Sequence, residues 1–257
     1  MSRARNSSKG PLDYRELLIE ARLRDVSRTV LVTGGKGGVG KSLIAATAAL
    51  LLSRSNNRTG LLDLDLHGPS SCLILGVEDS PVEAEDGLIP PIVGGVKVMS
   101  VDLLSRGRPL PLTGRAKEEV VKEVLALTFY GRLDYLLVDL PPGTGDELLT
   151  VSRYVRRRGE AIVVTTPTTL SLQVAKRVIQ ILESMTLKIV GVLENMHAGG
   201  GSPSKELARE AGIEFLGAIP YDPSLDGRVG RLRPDELLST RFAESLREIL
   251  RQASYHL

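Results

Sequence analysis

Eight residues constrain this chain of 257 more than any other feature: Gly35-Lys36-Gly37-Gly38-Val39-Gly40-Lys41-Ser42. They follow an apolar, β-branched run, Thr29 to Thr33, and open onto an apolar stretch, Leu43 to Leu52. A glycine-rich turn between a strand and a helix lets successive backbone N–H groups converge on phosphate oxygens, and the helix N-terminus adds partial positive charge. Lys41 then reaches the outer phosphates of a nucleoside triphosphate, and the Ser42 hydroxyl is offered to Mg²⁺. An ATP site is therefore expected on Gly35 to Ser42, with Leu43 beside it. Lys36 is the departure from a plain phosphate loop, because a second cation stands too near its own phosphates merely to decorate a turn.

Around this loop, short aliphatic runs alternate with longer amphipathic segments, the pattern of a parallel sheet covered on both faces by helices. Strands are expected at 29–33, 60–64, 96–101, 135–139, 161–165, 189–193 and 215–219, and helices at 41–53, 117–127, 146–156, 170–184, 204–211 and 234–251. The fold class predicted is α/β: a single doubly wound, mostly parallel sheet flanked by helices. Residues 11–257 are expected to form one domain after a disordered tail, 1–10. An N-terminal helix over 11–26 carries Leu17, Leu18, Ala21 and Leu23, which either dock on the sheet or face a partner. The acid-, Pro- and Gly-rich segment from Glu78 to Gly95 reads as a surface loop or short hairpin.

Composition excludes several classes. With 33 Lys+Arg against 31 Asp+Glu, bulk charge points neither to nucleic acid nor to an anionic membrane. Leu43–Leu52 falls short of the roughly 20 apolar residues that span a bilayer, and the polar start of the chain reads as no signal or anchor. No transmembrane segment is expected. The single cysteine, Cys72, rules out an internal disulfide framework and suits a reducing, cytoplasmic setting.

Three carboxylates and one amide complete the candidate site. The run Leu133 to Asp139 is a strand ending in Asp139, where a Mg²⁺ ligand is needed. After the second strand comes Leu62-Asp63-Leu64-Asp65-Leu66-His67-Gly68-Pro69-Ser70, whose alternation puts Asp63 and Asp65 on one face of the extended chain. A carboxylate beside the terminal phosphate can orient the attacking water and complete the metal shell, which assigns Asp65 to water activation and Asp63 to support.

Lys36 to Ser42 resembles the deviant phosphate loop of the MinD, ParA, nitrogenase-iron-protein and Mrp/ApbC ATPases. The resemblance implies that Lys36 crosses a dimer interface to the partner's nucleotide, so the chain is expected to work as an ATP-dependent homodimer. Leu140-Pro141-Pro142-Gly143-Thr144-Gly145-Asp146 resembles the switch II segment of the Mrp/ApbC branch, and the Asp63–Ser70 segment its switch I. Glu194-Asn195-Met196 is similar to the segment whose asparagine reads adenine, and Pro220 and Asp222, in Ile219-Pro220-Tyr221-Asp222, are expected to close the other side of the base pocket.

Cluster-carrying members place a Cys-x-x-Cys pair shortly after Glu-Asn-Met, two subunits supplying four thiolates. Here the stretch reads His197-Ala198-Gly199-Gly200-Gly201-Ser202-Pro203. From that absence no Fe–S cluster is expected, and Cys72 reads as a buried structural residue. The cysteine-less pattern, with Arg15 to Leu23 and Pro111-Leu112-Thr113-Gly114, looks closer to the ATPase-type HypB branch. That resemblance implies nickel delivery to hydrogenase with a HypA-type nickel chaperone as partner. The competing class is a positioning ATPase of MinD or ParA type. Its membrane version would use the stripe Leu238, Phe242, Leu246 and Ile249, which reads first as a core-facing surface. Its DNA version would use Arg153, Arg156, Arg157 and Arg158, which equally suit a helix C-terminus, so no stable nucleic-acid partner is expected.

Overall fold

A computed structural model describes residues 13–105, 114–156 and 158–256. The expected tail 1–10, the residues Pro111 to Thr113 and Arg157 lie outside them. The strands are β1 (Val26–Gly34), β2 (Thr59–Asp63), β3 (Val82–Ala84), β4 (Gly87–Ile89), β5 (Ile92–Val93), β6 (Val96–Ser100), β7 (Leu133–Asp139), β8 (Gly159–Thr165), β9 (Lys188–His197) and β10 (Phe215–Pro220). The helices are α1 (Tyr14–Arg24), α2 (Lys41–Arg54), α3 (Ser71–Leu75), α4 (Val101–Ser105), α5 (Arg115–Leu127), α6 (Asp146–Val155), α7 (Thr169–Ser184), α8 (Pro203–Ala211), α9 (Pro234–Leu238) and α10 (Arg241–Gln252).

Eight strands form one sheet in the order β10-β9-β8-β1-β7-β2-β6-β5, parallel throughout except for the short edge pair β5/β6. Strands buried on both faces explain their near-continuous aliphatic sequence. Alternate residues point to opposite faces. In β1, Val30 and Val32 meet the α2, α3, α9 and α10 side, whereas Leu31 meets the side built by α1, α5, α6, α7 and α8. The mostly parallel, doubly wound architecture is as the sequence pattern requires, and the Glu78–Gly95 segment contains the antiparallel hairpin β3/β4.

Two expectations need correction. The helix expected over 234–251 is two helices, because Thr240 interrupts it: its Oγ1 accepts from the Ala243 N–H at 3.2 Å and caps a new helix. The N-terminal helix begins after Asp13, whose carboxylate accepts from the Arg15 N–H at 3.1 Å, and it buries Ile19 while Leu17 stays 59% exposed. The inward face is thus set by Ile19, with Leu18 and Leu23 partly buried against the core beneath. Phe242, Leu246 and Ile249 are all buried, so the C-terminal stripe covers the sheet. Arg153 pairs with Glu118, Arg156 donates to Thr186, and Arg158 donates to the Arg24 carbonyl, so these arginines serve internal contacts. Among the described residues no helix is long and apolar enough to cross a membrane.

Candidate functional site

Three neighbouring strands, β1, β7 and β2, end together and deliver the site. Register places Val32 beside Asp139 and Asp139 beside Asp63, so the loop after β1 rises directly over two carboxylates. This is the carboxyl edge of a parallel sheet, where ligands of open α/β folds sit. The loop turns tightly because Gly38 and Gly40 adopt φ of 78° and 90°, the left-handed region. A Cβ on Gly40 would also stand 2.2 Å from the Asn195 amide nitrogen.

Lys41 opens α2 with its side chain buried, and its ammonium donates to the Lys36 carbonyl at 3.4 Å. Burial lowers its pKa, opposed by the charges of Asp139 and Asp65. Lys36 itself is exposed on the loop.

Asp139 is fully buried. Its Oδ2 accepts from the Ser71 hydroxyl at 3.2 Å, while Oδ1 is buried without a hydrogen-bond partner. Burial and the neighbouring Asp63 charge push its pKa up, against the Ser42 hydroxyl and the Lys41 ammonium, which pull it down. An orphaned carboxylate oxygen and a serine hydroxyl are oxygen donors suited to a hard cation. Among the described residues no group of three or more His, Cys, Asp or Glu could hold a metal, so a cation here would need oxygens from the nucleotide as well.

Asp63 and Asp65 separate in role. Strand β2 stops at Asp63, so the alternation drawn from sequence does not reach Asp65. The buried Asp63 carboxylate accepts from the N–H groups of Asp65, Ser70 and Ser71 at 3.0, 3.0 and 2.9 Å, folding the following loop around itself. Desolvation raises its pKa and those three donors oppose the rise. Asp65 is only half-buried, and its Oδ1 accepts from the His67 and Gly68 N–H groups at 3.1 and 3.0 Å.

Asn195 is buried against the loop and donates to the Val39 carbonyl at 2.9 Å. Pro220 is exposed at the end of β10. Both carboxylate oxygens of Asp222 are engaged within the chain, accepting from the Ser224 N–H at 3.0 Å and the Phe242 N–H at 3.2 Å. Residues the sequence did not single out also converge here. Ser71 bonds Asp139, and Lys117 and Glu147 line a cleft of about 340 Å³ with Asp65 and His67. Nothing in linear spacing marks Lys117, which reaches the site from α5, 50 residues beyond His67.

Just after Asn195, the chain forms a closed polar knot. The fully buried Glu194 carboxylate accepts from Ser202 and Ser204 hydroxyls at 2.7 and 2.6 Å and contacts His197 Nδ1 at 2.6 Å. Cys72 is buried, and desolvation pushes its thiol up to about 12. One buried cysteine supplies a single thiolate where such a cluster takes four, so the residues present do not fit an Fe–S cluster of the chain's own.

The family model for ParA, NUBPL iron-transfer P-loop NTPases, matches residues 25–252. An iron-sulfur cluster carrier protein of Saccharolobus solfataricus is 34% identical over 226 residues, covering 82% of this chain and 76% of that protein. A cytosolic Fe-S cluster assembly factor, the NUBP2 homolog of Trichoplax adhaerens, is 36% identical, covering 88% of this chain and 94% of the other. The nucleotide-binding protein of Archaeoglobus fulgidus in complex with ADP superposes with a TM-score of 0.75 at 32% identity, covering 88% of this chain and 95% of that one. These findings overturn the reading of the chain as a HypB-type nickel-delivery protein with a HypA partner. They also stand against the expectation, drawn from the missing cysteine pair, that no Fe–S cluster is involved. The inference failed because losing cluster ligands removes a carrier's own binding site without indicating which other metal pathway it serves.

Proposed function

The chain belongs to the ParA family of P-loop NTPases, in its NUBPL iron-transfer group, and from that premise we propose that it is an ATP-driven homodimeric switch serving iron–sulfur cluster assembly in the cytosol. The observation that carries the ATPase part is the buried, unpartnered Asp139 Oδ1 under a glycine-rich loop that already presents Lys41 and Ser42. The cluster-assembly part is supported by the names of the relatives.

Converging N–H groups and Lys41 hold the β and γ phosphates, Asn195 faces the base, and Pro220 and Asp222 border its far side. Ser42 and Asp139, with Asp65 beyond them, would hold a Mg²⁺ ion, which when bound neutralises phosphate charge. Asp65 orients the water that attacks the γ phosphorus, and ADP and inorganic phosphate leave. Lys36, exposed on the loop, reaches the nucleotide of the second subunit, so that two subunits close only around ATP. The cluster is cargo in this scheme, and its thiolates come from a cysteine-bearing partner.

Phosphate release should be measured together with mass by light scattering, in ADP and in ATP. Turnover and an ATP-dependent dimer are expected. Titrating a reconstituted, cysteine-bearing assembly protein should then give a complex that depends on ATP. Absence of phosphate release would refute the ATPase reading, and nucleotide-independent or absent association would refute the assembly role.

A further inference from the structure

Three segments meet at the cleft beside Asp65: the loop after β2, the turn between β7 and α6, and the first turn of α5. The Lys117 ammonium stands between the first two. It lies 2.8 Å from His67 Nε2 and 3.4 Å from Glu147 Oε1. An ammonium only donates, so in this contact the imidazole accepts at Nε2. Glu147 is 2% exposed, and its Oε1 has no hydrogen-bond donor, which leaves Lys117 as the cation facing it. The lysine side chain is itself largely covered, at 21% exposure.

Each end of this bridge is tied to the site. His67 donates its backbone N–H to Asp65 Oδ1, so holding the imidazole holds the turn that aims the Asp65 carboxylate. Glu147 lies in the first turn of α6, just past Gly143, whose N–H donates to the Gly34 carbonyl at 3.0 Å at the foot of the phosphate loop. Pro141, in the same turn, lines the cleft. A single cation thereby fastens the loop carrying Asp65 to the loop leaving Asp139.

We infer that Lys117 is a positioning residue for ATP hydrolysis, holding the Asp65 loop and the Asp139 loop in one relative setting through His67 and Glu147. The inference rests on the assignment of Asp65 to the attacking water. Lys117 touches none of the reacting atoms in this scheme, so its loss acts on the placement of Asp65 and leaves the phosphate cradle intact.

Steady-state phosphate release by the full chain tests this. For Lys117→Gln, kcat should fall about tenfold or more, the scale at which small misplacements act, while KM for ATP stays within about twofold. Lys117→Arg should recover part of the loss. Adding His67→Ala to Lys117→Gln should cost nothing further, because both cut the same link. Lys117→Gln/Glu147→Gln removes the buried charge that could unfold the single variant, and it should fold yet remain slow. Wild-type turnover in Lys117→Gln, independent multiplication of the Lys117 and His67 effects, or recovery of rate in the double variant would each overturn the inference, the last by showing that Lys117 only neutralises Glu147. A wild-type chain that releases no phosphate overturns the ATPase reading as well, which separates the two failures.

Discussion

At the residue scale, the two lysines of the loop occupy opposite environments. Lys41 is buried beside Asp139, whereas Lys36 is exposed on the loop. Lys41→Ala should therefore weaken ATP binding itself, by roughly tenfold or more, because a charge-assisted contact of about 1.5–3 kcal/mol is lost. Lys36→Ala should bind nucleotide as the wild type does and lose ATP-dependent dimerisation and turnover. Nucleotide titration beside light scattering separates the two, and normal turnover in Lys36→Ala would defeat its assignment to the second subunit. Asp139 carries a pH prediction. Its folded-state pKa is raised by burial and by Asp63, so the folded chain holds this proton more tightly than the unfolded one. Its contribution to stability is intact below the ordinary carboxylate pKa and is lost as pH rises toward the raised value. Asp139→Asn should thus raise the Tm of the nucleotide-free protein at pH 8 and lose that advantage near pH 4. An advantage independent of pH would contradict the assignment.

At the element scale, helices contribute by what they bury and by which loop they fix. The sequence of α1 carries apolar residues on more than one side, and packing selects Ile19, which is fully buried against the face that α5 and α6 share. Ile19→Ala should cost about 2–5 kcal/mol in chemical denaturation, the usual price of a large-to-small core change. A loss under about 0.5 kcal/mol, the scale of surface substitutions, would mean that α1 is not docked in solution. Elsewhere Glu194 joins β9 to the start of α8 through Ser202 and Ser204. Those hydroxyls and the His197 contact lower its pKa although burial alone would raise it.

At the scale of the whole molecule, the doubly wound sheet places every proposed chemical group on one edge, and the segment carrying Tyr255 is tied down separately. Glu160 accepts from the Tyr255 hydroxyl at 2.9 Å and pairs with Arg28 and Lys188, which fastens the last turn of chain to β1 and β8. If two such edges close face to face around ATP, blocking hydrolysis should trap them. Asp65→Asn should remain dimeric in ATP for far longer than the wild type, with phosphate release slowed by roughly 100-fold. A variant that returns to monomers at the wild-type rate would detach dimer lifetime from hydrolysis.

Local order was largely written in the chain. The glycine spacing, the apolar strands and the terminal Asp139 follow from conformational freedom, side-chain periodicity and strand polarity, which act over a few residues, and all seven strands expected from sequence are present. The break at Thr240 escaped periodicity because a capping hydroxyl interrupts a helix without disturbing its apolar stripe. Asp63 and Asp65 looked equivalent by alternation. Their different surroundings came from tertiary structure, which turned one into a buried acceptor of three N–H groups and left the other at the cleft. Likewise no spacing in the sequence joins His67, Lys117 and Glu147. Their meeting depends on three segments returning to one sheet edge, and a buried charge finds its partner through that geometry, whatever the distance along the chain.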